Sequence, residues 1–290
     1  GGGGVYLGGG EGAALIVECQ ISGNHSGQGG GVYCASNARP LFSSCRIDRN
    51  TASIGGGVFC ADRSDSRWEK CRIDANTAGS HGGGIYFSQS SSAEFQHCDF
   101  SLNSAGQYGY GGGVYSHTSM PRMEHCTFLL NSAGSGGGGA GLGWGGAPAF
   151  RNCTFLKNRA EQGPALHCQS GSSLNMVNSI IWRHGGAPIL IEDQASQNVA
   201  FSCIEGAGSW PGLGNINADP LFCAWGPSAE AFVDGGRAAP GDGSVEAPFF
   251  NTGILETTGL AVAVTWGPAV GPGEFNITSL IVEAPIACLT

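Results

Sequence analysis

One sentence is written over and over along this chain, and that repetition limits what it can fold into. Gly29-Gly30-Gly31-Val32-Tyr33-Cys34 leads to Cys45-Arg46-Ile47-Asp48-Arg49-Asn50-Thr51-Ala52, and Gly55-Gly56-Gly57-Val58-Phe59-Cys60 leads to Cys71-Arg72-Ile73-Asp74-Ala75-Asn76-Thr77-Ala78. Looser copies follow from Gly82 and from Gly111. The column Cys19, Cys45, Cys71, Cys98, Cys126 and Cys153 advances by 26, 26, 27, 28 and 27 residues. Asn24, Asn50, Asn76, Asn103, Asn131 and Asn158 keep step, five residues behind each cysteine. Two weaker rungs are expected at Asn178 and Cys203, each 25 residues further on. Within a rung, short β-type runs alternate with Gly, Ser and Asn, and no apolar spacing of helical period persists. Three strands and three turns per rung give an all-β parallel β-helix whose coils each add ~4.8 Å of length. About eight coils are expected over residues 1–222, with a C-terminal β extension, cap or following module over 223–290.

The columns assign the interior. Val5, Val32, Val58, Ile85, Val114, Leu142 and Leu166 are expected inside one wall, and the cysteines with Ile21, Ile47, Ile73, Phe100, Phe128 and Phe155 inside another. Phe42, Trp68, Phe95, Met123 and Phe150 fill a third. A side-chain amide both donates and accepts, so the asparagine column reads as an internal hydrogen-bonded ladder. The glycine triplets serve a corner where positive φ or close backbone approach excludes a Cβ. Residues 134–147, almost all glycine, read as an irregular surface loop.

Gly accounts for 52 of 290 residues and charged residues for 12%, half the usual ~25%. A net charge of -9, without a run of Lys or Arg, argues against nucleic acid or an anionic membrane surface as partner. No apolar stretch approaches the ~20 residues of a membrane span. The twelve cysteines are even in number, yet their place in the repeat makes them core thiols rather than a disulfide framework. Gly1 to Tyr6 already lies inside a repeat, so a mature product or a piece of something longer is expected.

The pairing of a Gly-Gly-x-[Ile/Val] turn with Phe-x-x-Asn, as in Phe100 to Asn103, Phe128 to Asn131 and Phe155 to Asn158, resembles the repeats of bacterial right-handed parallel β-helix surface proteins, among them the chlamydial polymorphic membrane proteins. Those usually write Gly-Gly-Ala where this chain writes Gly-Gly-Gly. Asn178 to Trp182 and Gly214 to Phe222 look like the closing coils of secreted bacterial β-helices. The resemblance implies a right-handed coil and an extracellular or cell-surface location. It leaves function open, since adhesins, polysaccharide lyases and structural surface proteins share the scaffold.

Three sets of residues are candidates for chemistry or binding. Arg46 and Arg72, with Asp48, Asp74 and Asp99, form a charged strip on an outer face. The resemblance to acidic-polysaccharide lyases and epimerases would give its carboxylates a catalytic or calcium-holding role, while the plainer reading is a solvated lattice bridging coils. His97 and His125 occupy one position on successive coils, with Glu94, Glu124 and Asp99 close by: with a carboxylate they could bind a transition metal, though no third ligand stands at fixed spacing, or act as an acid–base pair, and the plainer reading is two tolerant surface histidines. Tyr6, Tyr33, Phe59, Tyr86 and Tyr115 face outward as an aromatic stripe, a binding surface or a self-stacked stiffener. No metal set, P-loop or nucleophile motif occurs. The leading expectation is an extracellular structural, adhesive or self-associating surface or fibre protein, partnered by its own copies, a cell-surface glycan or a protein. The alternative is a polysaccharide lyase or epimerase acting on an acidic polysaccharide, using Asp48, Asp74 and Asp99 with Arg72, or His97 with His125.

Overall fold

A computed structural model describes residues 2–220 apart from 10–13, 170, 193 and 207, and beyond them the strands Phe222–Ala224, Phe232–Gly236, Val262–Trp266 and Ile277–Val282. The first 220 residues wind into a parallel β-solenoid whose three main walls are each eight strands deep. The first wall runs from Val5–Gly8 to Ile189–Ile191, the second from Leu15–Val17 to Ser196–Ala200, and the third from Gln20–Ser22 to Cys203–Ile204. Equivalent residues of neighbouring repeats pair in parallel without slip, as in Arg46 with Arg72, Ile47 with Ile73 and Asp48 with Asp74. A fourth, shorter wall of His25–Gln28, Thr51–Ile54, Thr77–Ala78 and Ser104–Ala105 follows the asparagine corner. Sequence reading counted this stretch as turn, because two to four residues carry too little alternation to register as a strand.

Inward positions form one continuous core, with Phe42, Trp68, Phe95, Phe100, Phe128, Phe150 and Phe155 all at most 1% exposed. Parallel register stacks like upon like. Phe42 lies on Trp68 with ring centroids 3.8 Å apart, and Phe100, Phe128 and Phe155 stack at 4.8 and 4.4 Å. The ladder cysteines that the structure describes are free, and all but Cys19 are buried.

The corners are tight. Between the second and third walls the chain turns on one left-handed residue per coil: Ser44, Lys70, His97, His125 and Asn152 have φ between 52° and 55°. Arg49, Ala75, Leu102, Leu130 and Lys157 do the same just before each asparagine, at φ 52° to 56°. Left-handed non-glycine residues are costly singly, and here the stacked coils over-determine them. The glycine triplets answer a different demand. Gly55 has φ 62°, and a Cβ on Gly56 would stand 2.4 Å from the Gly83 carbonyl oxygen.

The asparagine ladder is complete from Asn24 to Asn158. Each Nδ2 donates to the Oδ1 of the next coil at 3.0 Å, and that Oδ1 also accepts the backbone N–H of the preceding asparagine. From Asn50 onward the second Nδ2 hydrogen serves a carbonyl of the coil before, as Asn76 serves Ile47 at 2.8 Å. All amides therefore point the same way.

Several expectations need correcting. The glycine-rich residues 134–147 are not a surface loop: Gly137-Gly138-Gly139 is a buried corner triplet and Ala140–Gly143 is a strand of the first wall. Glycine is demanded there by backbone contact, since a Cβ on Gly138 would lie 2.3 Å from the Arg159 carbonyl oxygen. Ala140, not Leu142, continues the valine column, and Leu142 pairs with Ser116 and Cys168. The late rungs centre on Ser179 and Ser202 rather than Asn178 and Cys203. Their hydroxyls accept the N–H groups of Cys153 and Ser179, so serine takes over the cysteine position while Cys203 sits beside Ile180 on the outward side. Asn215 closes the last rung by accepting from Ser202 N–H at 3.0 Å. Past this point the chain pairs Phe222–Ala224 with Phe232–Gly236, and Val262–Trp266 with Ile277–Val282, both antiparallel. How residues 223–290 sit on the solenoid, as cap or separate module, lies outside the described residues.

Candidate functional site

On the third wall, inward Ile47 and Ile73 force Arg46, Asp48, Arg72 and Asp74 outward. The two aspartates are nevertheless sheathed by neighbouring side chains. Arg46 clasps Asp74 in a two-pronged pair at 3.0 and 2.7 Å, while Arg49 and Gln20 donate to Asp48 at 2.8 and 3.0 Å. Burial works against the Asp48 charge, but the bonds from Gln20 and Arg49 and the nearby Arg46 charge win and hold its carboxyl below the usual range. Asp99 belongs to the other column: it pairs in register with Arg72, and Asp74 with Ser101. Crowding by heavy atoms, opposed by Arg72, pushes the Asp99 carboxyl up to about 6 although part of its surface stays open. The strip thus splits into a diagonal ion-pair lattice and one perturbed acid, and it does not gather its carboxylates at one point. Among the described residues no three His, Cys, Asp or Glu side chains converge as a metal would require.

The aromatic stripe is continuous, with centroids 5.1–5.4 Å apart from Tyr6 through Tyr33, Phe59 and Tyr86 to Tyr115. Of the two expected readings, these contacts favour the self-stacked stiffener over an open surface. Tyr6 is 58% exposed, but Phe59 and Tyr115 are 5% and 3% exposed. Self-stacking closes the ring faces, His81 stacks on Tyr115 at 4.9 Å, and the Tyr115 hydroxyl reaches over a glycine rung to donate to Gln169 at 3.1 Å. A Cβ on Gly143 would lie 2.4 Å from that hydroxyl, so Gly141 and Gly143 are the recess the ring lies in.

The second wall is different. Its inward column of Phe95, Met123, Phe150 and Met176 leaves the residues on either side pointing out, and these line a groove of about 780 Å³ across successive coils. Glu94, Arg122, Glu124 and Arg151 supply two carboxylates and two guanidiniums, and Gln96, Asn175 and Asn198 supply amides. Glu94 sits between Arg67 and Arg122, 3.8 Å from each, and all three side chains are widely exposed. Such pairs are weak and exchange readily for a ligand's hydrogen bonds. His97 and His125 form the adjoining corner, stacked at 4.9 Å with rings 11° apart, and Asn152 approaches the His125 Nε2 at 3.3 Å. Burial, reinforced by the neighbouring His125, pulls the His97 imidazole below its ordinary value, so it is neutral at neutral pH. Sequence reading found the histidines and both glutamates but passed over Arg122, Arg151, Gln96, Asn175 and Asn198. Their signal was available: they flank the column of Phe95, Met123, Phe150 and Met176, and outward polar residues on consecutive rungs share one face.

The sequence pattern of the family described as "right handed beta helix region" matches residues 1–131 and, in a second overlapping match, 80–205. The chain belongs to the right-handed β-helix family. The family assignment fixes the hand of the solenoid, and the match ends close to where the regular coils end. No curated protein and no solved structure gives a significant match. A right-handed β-helix serves surface proteins and polysaccharide-acting enzymes alike, so the choice between them falls to the site.

Proposed function

We propose that this right-handed β-helix is an extracellular adhesive surface protein, and that its second wall binds a neutral, hydroxyl-rich glycan chain of a cell surface lying along the solenoid. The groove carries the reading. It is open along the axis, its four charged lining residues sum to zero, and its remaining polar groups are amides. Paired donors and acceptors suit hydroxyls, whereas an acidic polymer calls for an excess of cations. The resemblance to bacterial surface solenoids supports the location, and the closed aromatic stripe turns the partner away from the first wall. Titration calorimetry against neutral glycans of cell walls and surfaces tests it. The wild-type chain is expected to bind, and Arg122→Ala with Arg151→Ala is expected to weaken binding at least tenfold with an unchanged circular dichroism spectrum. Absence of binding to every neutral glycan, or binding indifferent to both substitutions, rejects the reading.

The second reading, lyase or epimerase action on an acidic polysaccharide with calcium as a candidate cofactor, keeps one observation in its favour. A neutral imidazole at His97 stands beside the groove as a general base would. Asp48 and Asp74 lend less support, because their carboxylates are already occupied by Arg46, Arg49 and Gln20. Ultraviolet absorbance of unsaturated uronate products, lost in His97→Ala, would favour the enzyme.

A further inference from the structure

The asparagine ladder does not end in solvent. One coil beyond Asn158 its place is taken by His184, whose side chain is fully buried and whose Nε2 lies 3.3 Å from Asn158 Nδ2. That amide nitrogen also donates to the Phe128 carbonyl at 2.9 Å. Nδ2 is only a donor, so His184 Nε2 must accept, and the ring proton resides on Nδ1. Nδ1 faces Glu205 Oε1 at 3.4 Å. Glu205 in turn takes the acceptor role that the next asparagine plays lower down: its carboxylate accepts the backbone N–H groups of Arg183, at 2.7 Å, and of His184. The ladder is thus terminated by an imidazole and a carboxylate, neither of which sequence spacing had singled out.

From this geometry we propose that His184 and Glu205 form an acid-sensitive latch: protonation of His184 releases the last coil, from Ile189 to Ile204, while the coils below stay wound. A second ring proton would place N–H against N–H at Asn158. Turning the Asn158 amide over does not relieve the conflict, because its Oδ1 already accepts from Asn131 N and Nδ2. The flip passes the mismatch one coil down, and the ladder resists it in one direction only. Melting the terminal coil is the local way out, since a solenoid loses end repeats without unwinding its middle.

Few charges surround the ring. Glu205 faces it from the following rung and favours the imidazolium. Lys157 and Arg183 occupy the corner column one residue before Asn158 and His184, and Arg159 follows Asn158. Burial is the larger effect on His184 and lowers its pKa, with Glu205 pulling the other way. A depressed folded value means that the latch is at full strength above the ordinary histidine range and weakens as pH falls through the folded value.

Hydrogen exchange of the full chain, corrected for intrinsic rates, tests this at pH 7.5 and at pH 5. Amides of 189–204 are expected to lose at least tenfold in protection at the lower pH, and those of 45–130 to change little. His184→Asn restores an amide at the position and is expected to abolish the difference. Loss of protection that persists in His184→Asn, or equal loss along the whole solenoid, overturns the proposal. In case that variant does not fold, nitrogen-15 shifts of the wild-type histidines give an independent answer. An Nδ1–H tautomer at pH 7.5 is expected for His184, and an Nε2–H tautomer refutes the latch.

Discussion

Truncating one ladder residue in the middle of the solenoid should cost far more than truncating the same residue at its edge. Asn76 is fully buried, and its amide nitrogen donates to Ile47 O at 2.8 Å and to Asn103 Oδ1 at 3.0 Å. Its oxygen accepts both the backbone N–H and the Nδ2 of Asn50 at 3.0 Å. Asn76→Ala removes two donated bonds, worth about 0.5–1.5 kcal/mol each, and orphans the buried Asn50 N–H at about 1–3 kcal/mol. The other losses are softened, because Asn50 Nδ2 keeps Ile21 O and Asn103 Oδ1 keeps the residue 76 N–H. The sum is about 4 kcal/mol. Asn24 is only half-buried; its Nδ2 donates to Ser22 O and Asn50 Oδ1, and Asn24→Ala strands no buried N–H, so about 1 kcal/mol is expected. Guanidinium unfolding followed by circular dichroism, with equal slopes as the check on two-state comparison, reads the difference. If Asn76→Ala costs no more than Asn24→Ala, the ladder is a by-product of the winding and not a source of its stability.

Two further outcomes follow from the corners and the third wall. Gly56→Ala should cost about 3 kcal/mol or prevent folding, because its Cβ would meet the Gly83 oxygen at 2.4 Å, whereas Gly27→Ala, with nothing within 4 Å, should be nearly silent by the same unfolding assay. Asp99, with its folded pKa raised to about 6 from 3.8, holds its proton more tightly when folded, so stability declines as pH rises between these values and stays lowered above. Asp99→Asn is therefore expected to raise Tm at pH 7.5 and to leave it unchanged at pH 4, and an equal rise at both would show that burial of the charge is not the cause.

Periodicity was legible wherever a side chain repeats. The inward columns, the ladder and the glycine corner all followed from spacing, because a parallel register without slip places identical residues one above another. What spacing could not show was occupancy of the outer faces. Asp48 and Phe59 face outward by alternation yet are closed off, the one by Arg49 and Gln20, the other by stacked rings. Substitution across residue types also hid the pattern. Serine follows cysteine at Ser179 and Ser202, and histidine follows asparagine at His184, so matching identical letters centred the last two rungs one residue off, at Asn178 and Cys203. Glycine hid it most thoroughly in residues 134–147, where the rung is present but has almost no side chains to announce it.

The one-residue corners also decide where such a chain can grow. From the first glycine of each triplet to the next ladder cysteine the count hardly moves: Gly29 to Cys45, Gly55 to Cys71 and Gly82 to Cys98 are 16 residues each, and Gly111 to Cys126 is 15. From ladder asparagine to the following triplet it is elastic, with five residues from Asn50 to Gly55, six from Asn76 to Gly82 and eight from Asn103 to Gly111. The longest of these arcs carries Tyr108, 79% exposed, above an undisturbed core. Insertions and grafted peptides are tolerated where ends are fixed and the interior is not touched. The arc beyond the fourth wall is thus the protein's site of permitted variation, where new recognition loops can be acquired one coil at a time while the three main walls keep their register.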